Sequence, residues 1–191
     1  MAEDVSTLRA DARRNHERVV DAALVAFAEG GPDVALDEVA RLAGVSQATL
    51  YRRFASRQEL VAAVATRRFS DAVDPVITAA LDGGDAWTGL VAVLDAVARQ
   101  RTDGRWQEIF AAARESGLLA GSVSIRLYDA LTTLLVRAQR AGVARADLGP
   151  DDLRSAMAML RGLTVDDRPG TATWPRRFAL LLDALRAAPA S

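Results

Sequence analysis

The chain has no cysteine and a single histidine among its 191 residues. The missing cysteines exclude disulfides, iron-sulfur ligation and thiolate zinc sites. One histidine cannot build a histidine-based metal site, and the position of His16 near the start of the first predicted helix indicates a solvated or backbone-contacting side chain. We therefore expect neither a metal nor a cofactor.

Long apolar runs and lysine are missing as well. No apolar run approaches the roughly 18 residues that a membrane-spanning helix needs, and the N-terminus lacks the basic-then-apolar order of a signal peptide. We expect a soluble, cytoplasmic protein without a membrane partner. All 24 basic side chains are arginine, which a GC-rich coding bias explains better than selection for bidentate contacts. The net charge of −1 by itself does not suggest nucleic acid.

Catalytic patterns are missing too. The sequence has no cysteine nucleophile, no second histidine, no glycine-rich phosphate loop after a strand and no serine elbow. The carboxylate pairs Asp151-Asp152 and Asp166-Asp167 lie at a predicted helix start and in a predicted loop, where capping and solvation account for them. The sequence predicts no catalytic residues and no enzyme.

The apolar residues recur at intervals of three and four, alternating β-branched runs are missing, and alanine, leucine and arginine dominate. This pattern predicts an all-α protein. Caps, glycines and prolines predict helices over residues 14–29, 36–43, 47–54, 57–72, 76–81, 86–100, 105–115, 123–141, 153–163 and 174–185. Asp74-Pro75 is predicted to break the fourth helix, and residues 164–173 are predicted to form a polar loop.

Residues 36–54 are the most informative segment of the chain. Their first half repeats apolar residues at helical spacing, and Gly44 follows where a helix C-terminus needs a residue that tolerates positive φ. Ser46 can cap a second helix, which Val45 and Leu50 would pack against the first. The segment therefore predicts a helix-turn-helix.

The outer face of the second helix is rich in hydrogen-bond donors and free of acid, and it carries Gln47, Ala48, Tyr51 and Arg52. Residues 46–58 also hold Arg53 and Arg57 and no acidic residue. This local basic patch suits a groove lined with phosphates and base edges. Arg52 fits a groove contact and a solvated charge equally well.

With a covering helix, a short helix, Gly44 and a recognition helix that ends in Leu50-Tyr51-x-x-Phe54, residues 13–65 closely resemble the TetR family of transcriptional regulators. The remainder is similar only in being helical and of suitable length. The resemblance implies a DNA-binding domain over residues 13–60 and a helical effector-binding and dimerisation domain over residues 61–188. It also implies a homodimer that represses from a near-palindromic double-stranded DNA operator and is released by a small-molecule effector.

Within that resemblance, Gln47 and Ala48 face base edges, while Thr49, Tyr51 and Arg57 contact phosphates. Arg53 stands where the family often has histidine, and Val34-Ala35 stands where it often has a serine or threonine cap, so one phosphate anchor is missing. For Arg13 and Arg14, a contact with the DNA backbone and a solvated charge are equally good interpretations. The predicted DNA-binding residues are Ser46, Gln47, Ala48, Thr49, Tyr51, Arg52, Arg53 and Arg57.

Aromatic residues make up only 5% of the chain, so those of the second half stand out. Core filling is the default role of each. An alternative is an apolar effector cavity with a few polar groups, lined by Trp106, Phe110 and Tyr128 with Arg114 and Arg126 as anion partners.

The last two helices carry apolar stripes, and a pair of such helices from each subunit would make a four-helix dimer interface. The predicted interface residues are Met157, Leu160, Leu163, Phe178, Leu181, Leu182 and Leu185.

A competing interpretation is a helical protein-interaction or ligand-carrying module that keeps the helix-turn-helix without using it on DNA. Phosphate contacts release counterions, so steep salt dependence of DNA binding distinguishes the two.

Overall fold

The computed structural model describes residues 2–100, 104–118, 122–166 and 169–188. Over these ranges the chain is helical, and its only other regular feature is an isolated antiparallel bridge between Ala144 and Arg186. None of the helices described is long and apolar enough to cross a membrane. The helices are α1 Ala2–Gly30, α2 Leu36–Ala43, α3 Gln47–Arg53, α4 Arg57–Asp82, α5 Ala86–Arg99, α6 Gly104–Glu115, α7 Ser122–Arg140, α8 Pro150–Asp166 and α9 Trp174–Leu185. The all-α prediction is confirmed.

The chain divides into two compact units. The first comprises Met1–Arg68 with Gly104–Ala120, and the second comprises Phe69–Asp103 with Gly121–Ser191. The division falls within α4, as does the boundary after residue 60 that the sequence suggested. By compactness, however, α6 belongs to the first unit.

In the first unit, α1 packs against the short helix α2 and, separately, against α6. The inner face of α1 buries Val19, Ala23 and Phe27, and α1 packs against both α2 and α6. Fully burying a side chain such as Phe27 stabilises the fold by about 1.5–3 kcal/mol. On α6, Trp106 is buried, and the guanidinium carbon of Arg68 lies 5.3 Å from the centre of its ring. Eight-residue α2 is too short to be stable alone, so this packing holds it in place.

The second unit surrounds α5. Its buried face, which includes Leu90, Val93 and Leu94, packs against α7 and α8, and α8 in turn packs against α9. The rings of Trp174 and Phe178 stack with centroids 5.3 Å apart in the same core. Each of these helices has one apolar stripe, and the stripes are buried against one another in this core.

The predicted break at Asp74-Pro75 is wrong, because α4 continues through Pro75 to Asp82. Proline removes one backbone hydrogen bond, but the flanking Val73 and Ile77 are buried in the core of the second unit. The apolar stripe thus continues across the proline, and its burial offsets the lost hydrogen bond.

Other helix ends agree with the sequence to different degrees. Two helices begin at capping side chains: Ser56 Oγ accepts from the Glu59 amide at 3.2 Å, and Asp85 Oδ1 accepts from the amides of Trp87 and Thr88. Thr173 precedes α9 without a side-chain cap bond. Two predicted boundaries are wrong, since α1 begins at Ala2 rather than residue 14 and α8 extends to Asp166 into the predicted loop. Local capping signals did not mark either extension.

The single histidine packs on an aromatic ring, which corrects the expected solvated or backbone-contacting role. The His16 and Phe54 rings stack with centroids 4.9 Å apart, joining α1 to the end of α3. Burial, followed by the charge of Arg53, lowers the pKa of His16 below its ordinary value of 6.5, while Glu17 acts in the opposite direction. The neutral ring is therefore the form that the fold favours.

We predict that this histidine makes stability depend on pH. Because the folded-state pKa is lowered, the contribution is complete above pH 6.5 and is lost as the pH falls through the folded-state pKa. In His16→Phe, which keeps an aromatic ring but cannot titrate, the melting temperature should fall less between pH 7.5 and pH 5.5 than in the wild type. Thermal unfolding by circular dichroism measures both, and equal falls would contradict the prediction.

Candidate nucleic-acid interface

The turn between α2 and α3 is closed by backbone hydrogen bonds around Gly44. Gly44 has φ +64°, and its amide donates to the Arg41 carbonyl at 3.2 Å, while the Val45 amide donates to the Ala40 carbonyl at 3.0 Å. This pair of bonds is a Schellman motif, which requires a left-handed residue at its centre. Arg18 of α1 also donates to the Ala43 carbonyl at 2.8 Å. The predicted role of Gly44 is confirmed.

The start of α3 is fixed by Ser46. Its Oγ accepts from the Thr49 amide at 3.2 Å and lies 2.9 Å from the Thr49 hydroxyl. Leu50 of α3 is buried, and so is Phe54, the residue that ends the helix. The cap and these two anchors determine which face of α3 is exposed.

The exposed face is the one that the sequence predicted. Gln47, Ala48 and Arg52 are exposed, and Tyr51 keeps 52% of its surface accessible. Arg53 is also exposed, whereas Thr49 is half-buried. This face offers amide, phenol and guanidinium donors within seven residues of helix.

A small recess lies beside this face, between α3 and α1. Its volume is about 110 Å³. It is lined by Asn15, Val19, Thr49, Arg52 and Arg53. The hydroxyl, amide and guanidinium groups among these residues are hydrogen-bonding groups that can bind a phosphate oxygen.

Arg57 has a structural role that the sequence did not reveal. Its Nη1 donates to the carbonyls of Pro32 and Val34, each at 2.8 Å, and so ties the start of α4 to the loop before α2. A guanidinium has five N–H donors, so these two bonds leave others that can reach a phosphate.

Asp37 is the residue of this face that sequence reasoning missed. Gln47 Nε2 donates to Asp37 Oδ1, although the two are ten residues apart in the chain. The sequence placed Asp37 on the previous helix, before the basic patch, and suggested an outer face free of acid. Only the angle of the turn brings the carboxylate to Gln47.

The start of α2 lacks the side-chain cap, as the sequence predicted. Ala35 occupies the cap position and makes no side-chain hydrogen bond, while Asp37 and Glu38 lie in the first turn. Their carboxylates interact favourably with the positive end of the helix dipole.

The predicted effector residues fall into different units. Trp106 and Phe110 are buried in the first unit, where Arg114 is exposed on the same helix. In the second unit, Arg126 Nη2 pairs with Asp74 Oδ2 at 2.5 Å, so its guanidinium already has an anionic partner. Tyr128 is half-buried and borders an open groove of about 470 Å³ with Asp129, Thr132, Thr133, Pro150 and Arg154. Among the residues described, no cluster of three or more histidine, aspartate or glutamate side chains could hold a metal.

The predicted dimer residues lie inside the protomer. Met157, Leu160, Phe178, Leu181 and Leu185 are buried in the core of the second unit, and Leu163 and Leu182 pack partly buried against it. The apolar stripes of α8 and α9 therefore face the interior of the chain. Their outward faces expose Met159 and Leu180, at 53% and 55% of their surfaces.

An exposed, donor-rich recognition helix held by a glycine turn, followed by a helical second unit, defines a helix-turn-helix DNA-binding protein. Residues 19–64 match the family model described as bacterial regulatory proteins, tetR family. The chain is 31% identical over 160 residues to the HTH-type transcriptional regulator SrpR of Pseudomonas putida, covering 81% of this chain and 73% of that protein. The chain belongs to the TetR family and is a DNA-binding transcriptional regulator.

Solved structures support the same conclusion. A TetR regulatory protein from Mycobacterium vanbaalenii is 31% identical, with a TM-score of 0.62 over 94% of this chain and 99% of that one. A TetR regulator from Streptomyces coelicolor is 29% identical, with a TM-score of 0.60 over 91% and 99% of the two chains.

We predict that Arg57→Ala destabilises the protein by about 1.5–3 kcal/mol, the range for hydrogen bonds to a charged group. The substitution removes the guanidinium that donates hydrogen bonds to the carbonyls of Pro32 and Val34. The matched control is Arg52→Ala, which removes an exposed arginine and should change stability by less than about 0.5 kcal/mol. Urea unfolding measures both variants, and equal stability would show that the Arg57 bonds contribute nothing.

Proposed function

We propose that this regulator is a cytoplasmic repressor that binds a near-palindromic operator as a homodimer and leaves it when a small molecule binds. The observation that supports operator recognition is the exposed face of α3, whose donors are held in fixed register by the Gly44 turn and the Ser46 cap. In helix-turn-helix proteins the N-terminal residues of the second helix reach base edges in the major groove.

The residues of this face are assigned partly to base edges and partly to phosphates. Gln47 and Ala48 occupy its first turn and are assigned to base edges, where an amide pairs with adenine and a small side chain permits close approach. Ser46, Thr49, Tyr51, Arg52, Arg53 and Arg57 are assigned to the phosphates that flank the groove. The recess lined by Thr49, Arg52 and Arg53 supports the second assignment.

Selection of bound fragments from a random DNA pool tests operator recognition. A pair of related half-sites about one helical turn apart, or a little more, is the expected result. The affinity for the selected site should also fall steeply as salt rises, because phosphate contacts release counterions. Failure to enrich any sequence would refute the proposal.

We predict that Gln47→Ala loses about 1–3 kcal/mol of binding free energy at one operator position and leaves the others unchanged. The reason is that only base edges, and not phosphates, carry sequence information. Affinities for operators changed one position at a time give the profile. Gln58→Ala, which removes an exposed glutamine from α4, is the control. An equal loss on all sequences would contradict the base-reading role.

The dimer interface is proposed on the outward faces of α8 and α9 instead of the inward stripes that the sequence suggested. Beside Met159, α8 exposes the small residues Ala158 and Gly162, which allow a partner helix to approach closely. Leu180 adds apolar surface on α9. Two helices from each subunit would then form a four-helix interface related by a twofold axis.

We predict that the double variant Met159→Glu, Leu180→Glu is monomeric at micromolar concentration, since it places charges at the centre of the proposed interface. Ile125→Glu, at a residue 63% exposed on α7 of the same unit, should leave the dimer intact. Light scattering after size-exclusion chromatography measures the mass of each. If the double variant is still a dimer, the interface lies on another part of the chain.

The effector is proposed to bind the helical part of the chain beyond residue 60. Among the predicted contacts, Tyr128 lies beside an open groove. Arg126 is paired with Asp74. Trp106 and Phe110 are buried in the first unit. Trp106, Phe110, Arg114 and Arg126 thus have weaker support. A compound that releases the selected operator, and does so less well with Tyr128→Ala, would identify both the effector and its site.

A further inference from the structure

The side chains of Asp37 and Gln47 form a pair on the exposed face of the helix-turn-helix. Gln47 Nε2 donates to Asp37 Oδ1, and both residues are exposed. Asp37 belongs to the first turn of α2 and Gln47 to the first turn of α3. The Schellman turn at Gly44 fixes the two helices relative to each other and therefore maintains the pair.

The pairing determines the orientation of the glutamine amide. A carboxylate has only acceptors, so the nitrogen of the amide must face Asp37 and the carbonyl oxygen must face away. One of the two N–H groups is then occupied. Gln47 is left with one donor and one acceptor for a base.

The remaining donor and acceptor of Gln47 distinguish adenine from guanine. In the major groove adenine offers an acceptor at N7 and a donor at N6, whereas guanine offers acceptors at both N7 and O6. A free glutamine can turn two N–H groups toward guanine, but a glutamine held by Asp37 cannot. The oriented amide therefore matches adenine and leaves an acceptor facing an acceptor on guanine.

Asp37 also lowers the overall affinity for DNA, although it raises the selectivity for adenine. Asp37 places a negative charge next to the groove, where it repels the phosphates of every sequence. Its removal should strengthen binding to all DNA while reducing discrimination. A residue that only supported the fold would instead weaken binding to all sequences when removed.

We propose that Asp37 is a positioning residue that orients Gln47 and so makes the regulator prefer adenine over guanine at the operator position that Gln47 reads. The proposal rests on the proposed function, in which Gln47 contacts a base. Asp37 itself touches no base in this role and acts only through the glutamine.

The test uses the full chain and the operator selected by the wild-type protein, with adenine or guanine at the position whose preference Gln47→Ala removes. Asp37→Ala should lower the adenine-to-guanine affinity ratio about tenfold, within the range for one bidentate pair. Asp37→Asn, which keeps an acceptor oxygen, should retain part of that ratio. Glu38→Ala removes an exposed carboxylate from the same turn of α2 and should leave the ratio unchanged.

A double-variant cycle separates orientation from other effects. In the Gln47→Ala background, Asp37→Ala should no longer change the ratio, because there is no amide to orient. Thermal unfolding checks that each variant is folded, and Asp37→Asn gives the answer if Asp37→Ala is not.

Distinct results overturn distinct claims. If the wild-type protein enriches no DNA sequence, the proposed function fails and the role of Asp37 fails with it. If Gln47→Ala removes a preference for guanine, or if Asp37→Ala and Asp37→Asn keep the wild-type ratio, operator binding stands and the role of Asp37 is refuted.

Discussion

The left-handed turn at Gly44 is the constraint on which the exposed face of α3 depends. Its two backbone hydrogen bonds close the C-terminus of α2, and Arg18 from α1 binds the last carbonyl of the same helix. A β-carbon at position 44 would be strained by the positive φ and would lie 3.0 Å from the Arg18 guanidinium. Short helices such as α2 and α3 gain little stability from propensity, so this turn and the covering helix α1 fix the angle between them.

The angle between α2 and α3 determines which donors of α3 are exposed, and it also brings Asp37 into contact with Gln47. A change of angle would separate the carboxylate from the amide without altering either helix. The second unit is held together differently, by inward apolar stripes on α5, α7, α8 and α9. Because these stripes meet within the chain, the outward faces of α8 and α9 remain exposed, with Met159 and Leu180 as their large apolar side chains.

Much of the local structure was predictable. The helix-turn-helix, the caps at Ser46, Ser56 and Asp85, and the burial of Leu50 and Phe54 all follow from short-range rules of capping and periodicity. The prediction failed at Pro75, where a local rule for helix breaking competes with burial on both sides of the proline. It also failed for His16, whose ring packs on Phe54, a residue distant in the chain. The stripes predicted to form a dimer interface are buried within the chain itself, because a stripe of leucines identifies a buried face without showing whether the same chain or another one covers it.

By itself, the sequence determined the fold class, the recognition helix and the identity of its exposed side chains, since these depend on residues within a few positions of one another. Tertiary structure decided which carboxylate meets Gln47, which carbonyls Arg57 holds and which faces of α8 and α9 remain open. Those contacts join residues separated by ten positions or more or require the packing of whole helices. The angles between helices that bring such residues together cannot be read from a linear pattern.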